Sequence, residues 1–299
     1  ILSINSKKKS RFLKFRGSLL EIMSNDELMA SLGNIARKRF GQHWLKDESI
    51  LDKILAAAEL EVDDRVLEVG PGQGALTLRL LNSKASLVHA IELDRDLVNG
   101  LKRRFSNYHQ FSLREGDALS DPLLPVDGIA CTKVVANIPY NITGPLLGRL
   151  IGRLDKPPET IYRRLVILLQ KEVADRILAK PGSSKFSSLS VRIQLLAKCK
   201  NVCLVPPNCF KPSPKVYSKV IIIEPFTKEK ILGFDTARKV DTLLKTAFLS
   251  RRKMLRNSLS GLKCFSEIEI AAKDVGISLQ LRPQDLSPEK WIQLSQGLS

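Results

Sequence analysis

The chain has 299 residues, 43% hydrophobic and 26% charged, enough for one large domain and a small one whose cores need no disulfide staples. Lysine plus arginine (48) exceeds aspartate plus glutamate (31) by 17, and the pI is near 9.8, a balance that favours a polyanion such as nucleic acid. No stretch approaches the roughly 18 apolar residues of a membrane span, so no membrane partner is expected.

The sequence begins at Ile1, and residues 1–22 carry Lys7, Lys8, Lys9, Arg11, Lys14 and Arg16 against one acid, Glu21. A basic segment of this kind reads as an organellar transit remnant, an RNA-binding arm, or an extension ahead of a start at Met23. Residues 1–34 are expected to be a disordered basic extension. From about residue 50, apolar runs alternate with amphipathic stretches. Val66–Val69, Leu87–Ile91, Phe111–Arg114, Val134–Ile138 and Leu165–Leu169 read as strands. The helices between them fall at Ala75–Leu81, Asp94–Arg104, Thr143 to about Leu150, and Lys171–Ala179. Nearly continuous apolar strands alternating with helices imply a mostly parallel sheet covered on both faces. Ser187–Cys199 reads as a helix. Val202–Val205 and Lys219–Ile223 read as two strands joined by a proline-rich loop, suited to an antiparallel edge. Beyond Pro225 only helical patterns remain: Thr236–Leu249, Arg251–Leu259, Ser266–Val275 and Ser287–Leu298. The expected organisation is an α/β domain over 35–226 and a small all-helical domain over 227–299.

The five cysteines are scattered and odd in number, and none of the three histidines (His43, His89, His109) lies near Cys199, Cys203 and Cys209. Without paired Cys-x-x-Cys spacing, reduced thiols and no structural metal are expected.

The first strand runs into Gly70-Pro71-Gly72-Gln73-Gly74, where glycines let a ligand approach the backbone and the following helix N-terminus. With Glu92 about 20 residues on to take ribose hydroxyls, this says adenosine-containing cofactor, and does not choose between NAD and S-adenosylmethionine. Asp117, after the third strand, can accept from an adenine amino group, or simply cap a turn. Asn137-Ile138-Pro139-Tyr140 breaks the tie. Methyl transfer from a sulfonium is an in-line displacement in which orientation supplies much of the rate. The lone pair of adenine N6 is delocalised, and acceptors on both amino hydrogens free it. The Asn137 side-chain oxygen and the Ile138 carbonyl can be those acceptors. Pro139 fixes the turn and withholds an N–H, and Tyr140 offers a ring face to the base. The string points to methylation of an adenine amine.

The string Asn137–Pro145 resembles the catalytic motif of the rRNA adenine N6-dimethyltransferases, the KsgA/RsmA group. Ala36–Leu45 is similar to the opening motif of that family, Leu169–Ala174 to the segment at its fifth strand, Phe210–Val216 to its proline-rich loop, and Ala247–Leu259 to its C-terminal helical motif. The resemblance implies a Rossmann-like S-adenosylmethionine-dependent methyltransferase fold with a seven-stranded sheet. It implies cofactor contacts at His43, Leu45, Gly70, Gly72, Glu92, Asp117 and Asn137, and stacking of a flipped adenine on Tyr140 and Phe210. At His43 many relatives carry Asn. Arg37, Lys38 and Arg39, with Arg251, Arg252, Lys253 and Arg256, are candidates for phosphate contacts. The implied activity is dimethylation of two adjacent adenines in the 3′-terminal hairpin of small-subunit rRNA. The enzyme would act as a monomer on a pre-ribosomal subunit, in a bacterial-type cytoplasm, a plastid or a mitochondrial matrix. Relatives that methylate large-subunit rRNA and confer macrolide resistance share the Asn-x-Pro-Tyr core, and a non-catalytic RNA-binding relative is the other alternative.

Overall fold

The computed structural model describes residues 42–298. The expectations for residues 1–34, for Met23 and for Arg37, Lys38 and Arg39 lie outside the described residues. The described chain opens with β1 (Trp44–Leu45) and α1 (Glu48–Ala58). Asp47 caps α1 by accepting from the Ile50 N–H at 3.1 Å, and Glu59, in the left-handed region at φ 46°, ends it.

Strands and helices then alternate, except between β4 and β5: β2 (Arg65–Val69), α2 (Ala75–Leu81), β3 (Leu87–Glu92), α3 (Arg95–Arg104), β4 (Phe111–Glu115), β5 (Lys133–Asn137), α4 (Thr143–Ile151), β6 (Arg164–Gln170) and α5 (Lys171–Ile177). Next come α6 (Ser188–Leu196), β7 (Ala197–Val205), β8 (Phe210–Lys211) and β9 (Ser218–Pro225). The main sheet has seven strands in the order β4-β3-β2-β5-β6-β9-β7. The first five are mutually parallel, and β9 pairs antiparallel with both β6 and β7. Burial on both faces explains the unbroken apolar runs. Val134 and Ala136 of β5 and Leu165, Ile167 and Leu169 of β6 enter one core; Val135, Val166 and Leu168 enter the core on the other face. The strand order reverses between β2 and β5, and the crevice at such a reversal, beyond the carboxyl ends of the strands, is where open α/β sheets bind ligands. Gly70 and Asn137 stand at that point.

The C-terminal part is helical: α7 (Phe234–Leu249), α8 (Leu255–Ser258), α9 (Phe265–Asp274) and α10 (Pro288–Gly297). Fully buried Trp291 belongs to its core, and Leu154, Phe186, Val191 and Leu195 extend that core onto the sheet domain.

Two expectations need correction, and one element was not expected. The helix expected over Ser187–Cys199 stops at Leu196, because Ala197 is already extended and begins a nine-residue strand that pairs along β9. The edge of β9 offers a full ladder, and it overrides local helix propensity. The helix expected over Arg251–Leu259 shrinks to α8, since the Lys253 N–H closes a turn on the Ser250 carbonyl at 2.8 Å. Finally, a two-stranded sheet that no sequence pattern announces joins β1 to β8, with Trp44 opposite Lys211 and Leu45 opposite Phe210. It fastens the opening motif to the proline-rich loop, beside the crevice.

Candidate active site

A cavity of about 330 Å³ opens at the reversal point. Its walls come from the segment before α1, the turn after β2, the ends of β3 and β4, and the Asn137–Ile142 stretch after β5. Of the expected site residues, His43, Gly70, Gly72, Glu92, Asp117, Asn137, Ile138, Pro139 and Tyr140 all line it. Leu45 is buried one step behind, in the wall of an adjoining hollow of about 320 Å³ that also reaches Gly70, Gly72 and Asn137. Phe210 is not brought to the cavity. Its pairing with Leu45 turns an apolar ring into the core beneath β1, where it is 5% exposed.

The glycine turn is tight for two reasons. Gly70 and Gly72 have φ of 70° and 58°, in the region where a side chain is strained. A Cβ on Gly72 would also lie 2.9 Å from Cδ1 of Trp44. Glu92 locks the turn to the neighbouring strand: one carboxylate oxygen accepts the Gly72 N–H at 3.1 Å, the other the Asp94 N–H at 2.9 Å. Burial pushes the Glu92 carboxyl upward, and those N–H groups oppose the shift. A carboxylate has about four lone-pair positions, so each oxygen keeps capacity for a ligand. Asp117 caps a turn, its Oδ1 accepting the Leu119 N–H at 2.9 Å, and it also lines the cavity.

Asn137 is oriented by a bond between distant segments. Its Nδ2 donates to the His43 backbone carbonyl at 3.0 Å. A carbonyl can only accept, so this bond decides which end of the amide is nitrogen and leaves Oδ1 as its acceptor for a ligand. The turn that follows is equally constrained. The Ile138 N–H donates to the Leu168 carbonyl at 3.1 Å, and the Pro139 carbonyl accepts from the Ile142 N–H at 3.2 Å and the Thr143 hydroxyl at 3.3 Å. The Tyr140 hydroxyl bonds Ser218 Oγ at 2.6 Å, and burial, partly opposed by that bond, raises the phenol above its ordinary value. The Tyr140 ring meets the His43 imidazole in a stacked arrangement, centroids 5.5 Å apart and planes 29° from parallel. His43 Nδ1 is held 2.8 Å from the Pro212 carbonyl.

Sequence reasoning passed over three participants. Ser218 anchors the Tyr140 hydroxyl. Trp44 covers Gly72 with an indole N–H that is buried and has no partner among the described residues. Glu68 is fully buried, accepts the Thr77 hydroxyl at 2.7 Å and has its carboxyl pushed up to about 8 by burial. Trp44 lies within a motif and carried a signal that could have found it. The roles of the other two depend on folding, and no local pattern marks them.

Among the described residues, the cavity wall contains two carboxylates, Glu92 and Asp117, and no lysine or arginine. In a protein of formal charge +17 that exclusion is selective: the wall favours a cationic ligand and offers no counter-charge to a pyrophosphate.

Comparison with known proteins gives the family. The ribosomal RNA small subunit methyltransferase A of Prochlorococcus marinus strain MIT 9313 is 62% identical over 271 residues, spanning 91% of this chain and 97% of its own. The protein of the same description from Synechococcus sp. strain CC9902 is also 62% identical, over 91% of this chain and 99% of its own. Among solved structures, a dimethyladenosine transferase from Plasmodium falciparum superposes with a TM-score of 0.73 at 28% identity, covering 84% of this chain and 96% of that one. The 23S rRNA methyltransferase ErmE gives 0.65 at 25% identity, over 85% and 99%. The family model for ribosomal RNA adenine dimethylase matches residues 33–299, and the chain, with its glycine turn, paired carboxylates and oriented Asn137 in one cavity, belongs to that family.

Proposed function

We propose that this chain transfers methyl groups from S-adenosylmethionine to N6 of two adjacent adenines in the 3′-terminal hairpin of small-subunit rRNA, four in all. The observation that carries the reading is the Asn137 amide, whose Nδ2 is fixed on the His43 carbonyl so that Oδ1 is left as the acceptor, in a cavity with two carboxylates and no basic side chain among its described residues. The residues fit an adenosine-bearing sulfonium. Gly70 and Gly72 leave room at the turn, Glu92 takes ribose hydroxyls with its remaining lone pairs, and Asp117 accepts from the adenine amine of the cofactor. His43 stands in the cavity wall with Leu45 buried behind it, and the buried Trp44 indole N–H is a donor for a ligand acceptor.

When bound, S-adenosylmethionine supplies an electrophilic methyl group. The protein holds the acceptor nitrogen in line with it. In the first transfer Asn137 Oδ1 and the Ile138 carbonyl accept hydrogen bonds from the two N6 hydrogens, and in the second one of them accepts from the single hydrogen that remains, each drawing the lone pair out of conjugation, while Pro139 presents no competing N–H. Tyr140, pinned by Ser218, supplies the stacking face for the extruded base, and His43 must yield part of that face when the base enters. No side chain of lowered pKa is required, because the N6-methylated cation formed by the transfer is acidic and gives its proton to water. Extruding a base costs a few kcal/mol, least in an unpaired loop.

Residues 35–226 would then form the catalytic domain and 227–299 the RNA-docking domain, with Arg251, Arg252, Lys253 and Arg256 against phosphates. The chain would act as a monomer on assembling small subunits, in a bacterial cytoplasm or in an organelle with bacterial-type ribosomes. The test is transfer of labelled methyl groups to small subunits lacking these modifications, with mature small subunits and large-subunit rRNA as controls. Label confined to the unmodified small subunits is expected. Label only on large-subunit rRNA would move the protein to the macrolide-resistance branch, and none on either would leave a non-catalytic relative.

A further inference from the structure

Three lysines converge on one carboxylate at the rim of the sheet. Asp175, on α5, has a side chain only 8% exposed. It accepts from Lys171 at 2.7 Å, from Lys219 at 2.6 Å and from Lys185. Burial works against its ionisation, yet the three ammonium groups hold its carboxyl well below the ordinary range. The cluster therefore carries three positive charges against one negative. The side chains of Lys171, Lys219 and Lys185 remain 40%, 20% and 54% exposed. Each ammonium has three donors, so Asp175 leaves most of them unspent. A cluster needed only to neutralise Asp175 would require one lysine.

Its position is as telling as its charge. Lys171 follows the carboxyl end of β6, and its backbone N–H donates to the Tyr217 carbonyl at 2.9 Å. Lys219 is the residue after Ser218, the anchor of Tyr140, on the opposite face of β9. Lys185 follows Ser184, whose carbonyl accepts from the Arg251 guanidinium. Arg252 and Lys253, next along the chain, are exposed. The trio is thus linked through the 182–186 loop to the basic run of the helical part, and it lies across β9 from the Ser218 that anchors Tyr140.

We infer that Lys171, Lys185 and Lys219, arrayed on Asp175, form a binding site for backbone phosphates of the RNA strand that carries the target base. This rests on the RNA-methylating reading above and adds a site to it. Asp175 acts as the positioning residue that spaces the ammonium groups. The excess of two positive charges matches two successive phosphates. Such binding fixes register without reading sequence.

The test is the salt dependence of binding to unmodified small-subunit rRNA. Wild-type protein is compared with the double variant Lys171→Gln/Lys185→Gln, the single variant Lys185→Gln, and the control Lys84→Gln. Lys84 is exposed and lies between α2 and β3, at the amino ends of the strands and away from the crevice. The double variant leaves Lys219 alone against Asp175, a neutral pair. The plot of log affinity against log salt should flatten by roughly 0.7 to 0.9 for each phosphate no longer neutralised. That amounts to about 1.5 in the double variant and about half as much in the single one. The control should match wild type, and S-adenosylhomocysteine binding should be unchanged in all. An unaltered slope in the double variant would show the trio to be an internal ion-pair cluster and overturn the proposal. If the double variant does not fold, the single variant, altered at the most exposed lysine, decides by the same slope. A wild-type protein without salt-dependent rRNA binding would instead refute the RNA-methylating reading itself.

Discussion

Replacing Asn137 tests the proposed activation of N6 most sharply, because the structure separates what its two amide ends do. Nδ2 holds the His43 carbonyl at 3.0 Å, and Oδ1 is left for the substrate. Asn137→Ala removes both. The bond to His43 is one neutral hydrogen bond, about 1 kcal/mol, or roughly a fivefold weakening if cofactor binding feels its removal fully. The acceptor acts on the reacting nitrogen, where removing one preorganised electrostatic group costs about 10²–10³ in rate. Asn137→Asp keeps an acceptor but sets a carboxylate against the His43 carbonyl, so the side chain must turn away, and it should be nearly as impaired. The assay is single-turnover methyl transfer at saturating S-adenosylmethionine, beside calorimetric binding of S-adenosylhomocysteine and RNA affinity. The expected pattern is a rate reduced by about two to three orders of magnitude, cofactor affinity within about tenfold, and RNA affinity nearly unchanged. An alanine variant within about tenfold of the wild-type rate would refute the role given to Oδ1.

Tyr140→Ala should remove the stacking face, worth about 1–3 kcal/mol, whereas Tyr140→Phe keeps the ring and gives up only the Ser218 bond. Single-turnover rates that fall equally would show that the hydroxyl, and not the ring, matters. The Glu68 carboxyl ionises near 4.5 ordinarily and near 8 when folded. The unfolded chain therefore holds fewer protons between those values, and stability falls as pH rises from about 4.5 to about 8. Glu68→Gln should remove that decline, so its melting temperature should gain on the wild type's between pH about 5 and about 8; a constant difference would contradict the burial of a protonated acid. Gly72→Ala places a Cβ 2.9 Å from Trp44 in a left-handed backbone and should weaken S-adenosylhomocysteine binding by about tenfold or more; calorimetry showing wild-type affinity would mean that the turn yields without cost.

Much of the fold was legible because sheet burial on both faces writes itself as unbroken apolar runs, as in Leu165–Leu169, and because a glycine turn and Asn137–Tyr140 mark strand ends. Boundaries set by pairing were not. Ala197–Cys199 reads locally as the continuation of a helix and becomes strand only because β9 offers an edge to pair with. The two-residue strands β1 and β8 have no period to detect, and they join segments remote in sequence, Trp44 to Lys211. At the site, residue identities were readable but their partnerships were not. His43 orients Asn137 through its backbone carbonyl, which no side-chain pattern announces. Phe210 resembled a stacking residue but is drawn into the core by its pairing with Leu45.

Dimethylation of adenine N6 in small-subunit rRNA is tested most directly by the chemical state of the base. Unmodified small subunits would be incubated with the protein and S-adenosylmethionine, their rRNA digested, and the nucleosides identified by mass spectrometry alongside primer-extension mapping. N6,N6-dimethyladenosine at two adjacent positions near the 3′ end of the small-subunit rRNA is the expected product. Methylation of another base, or at another nitrogen of adenine, would contradict it.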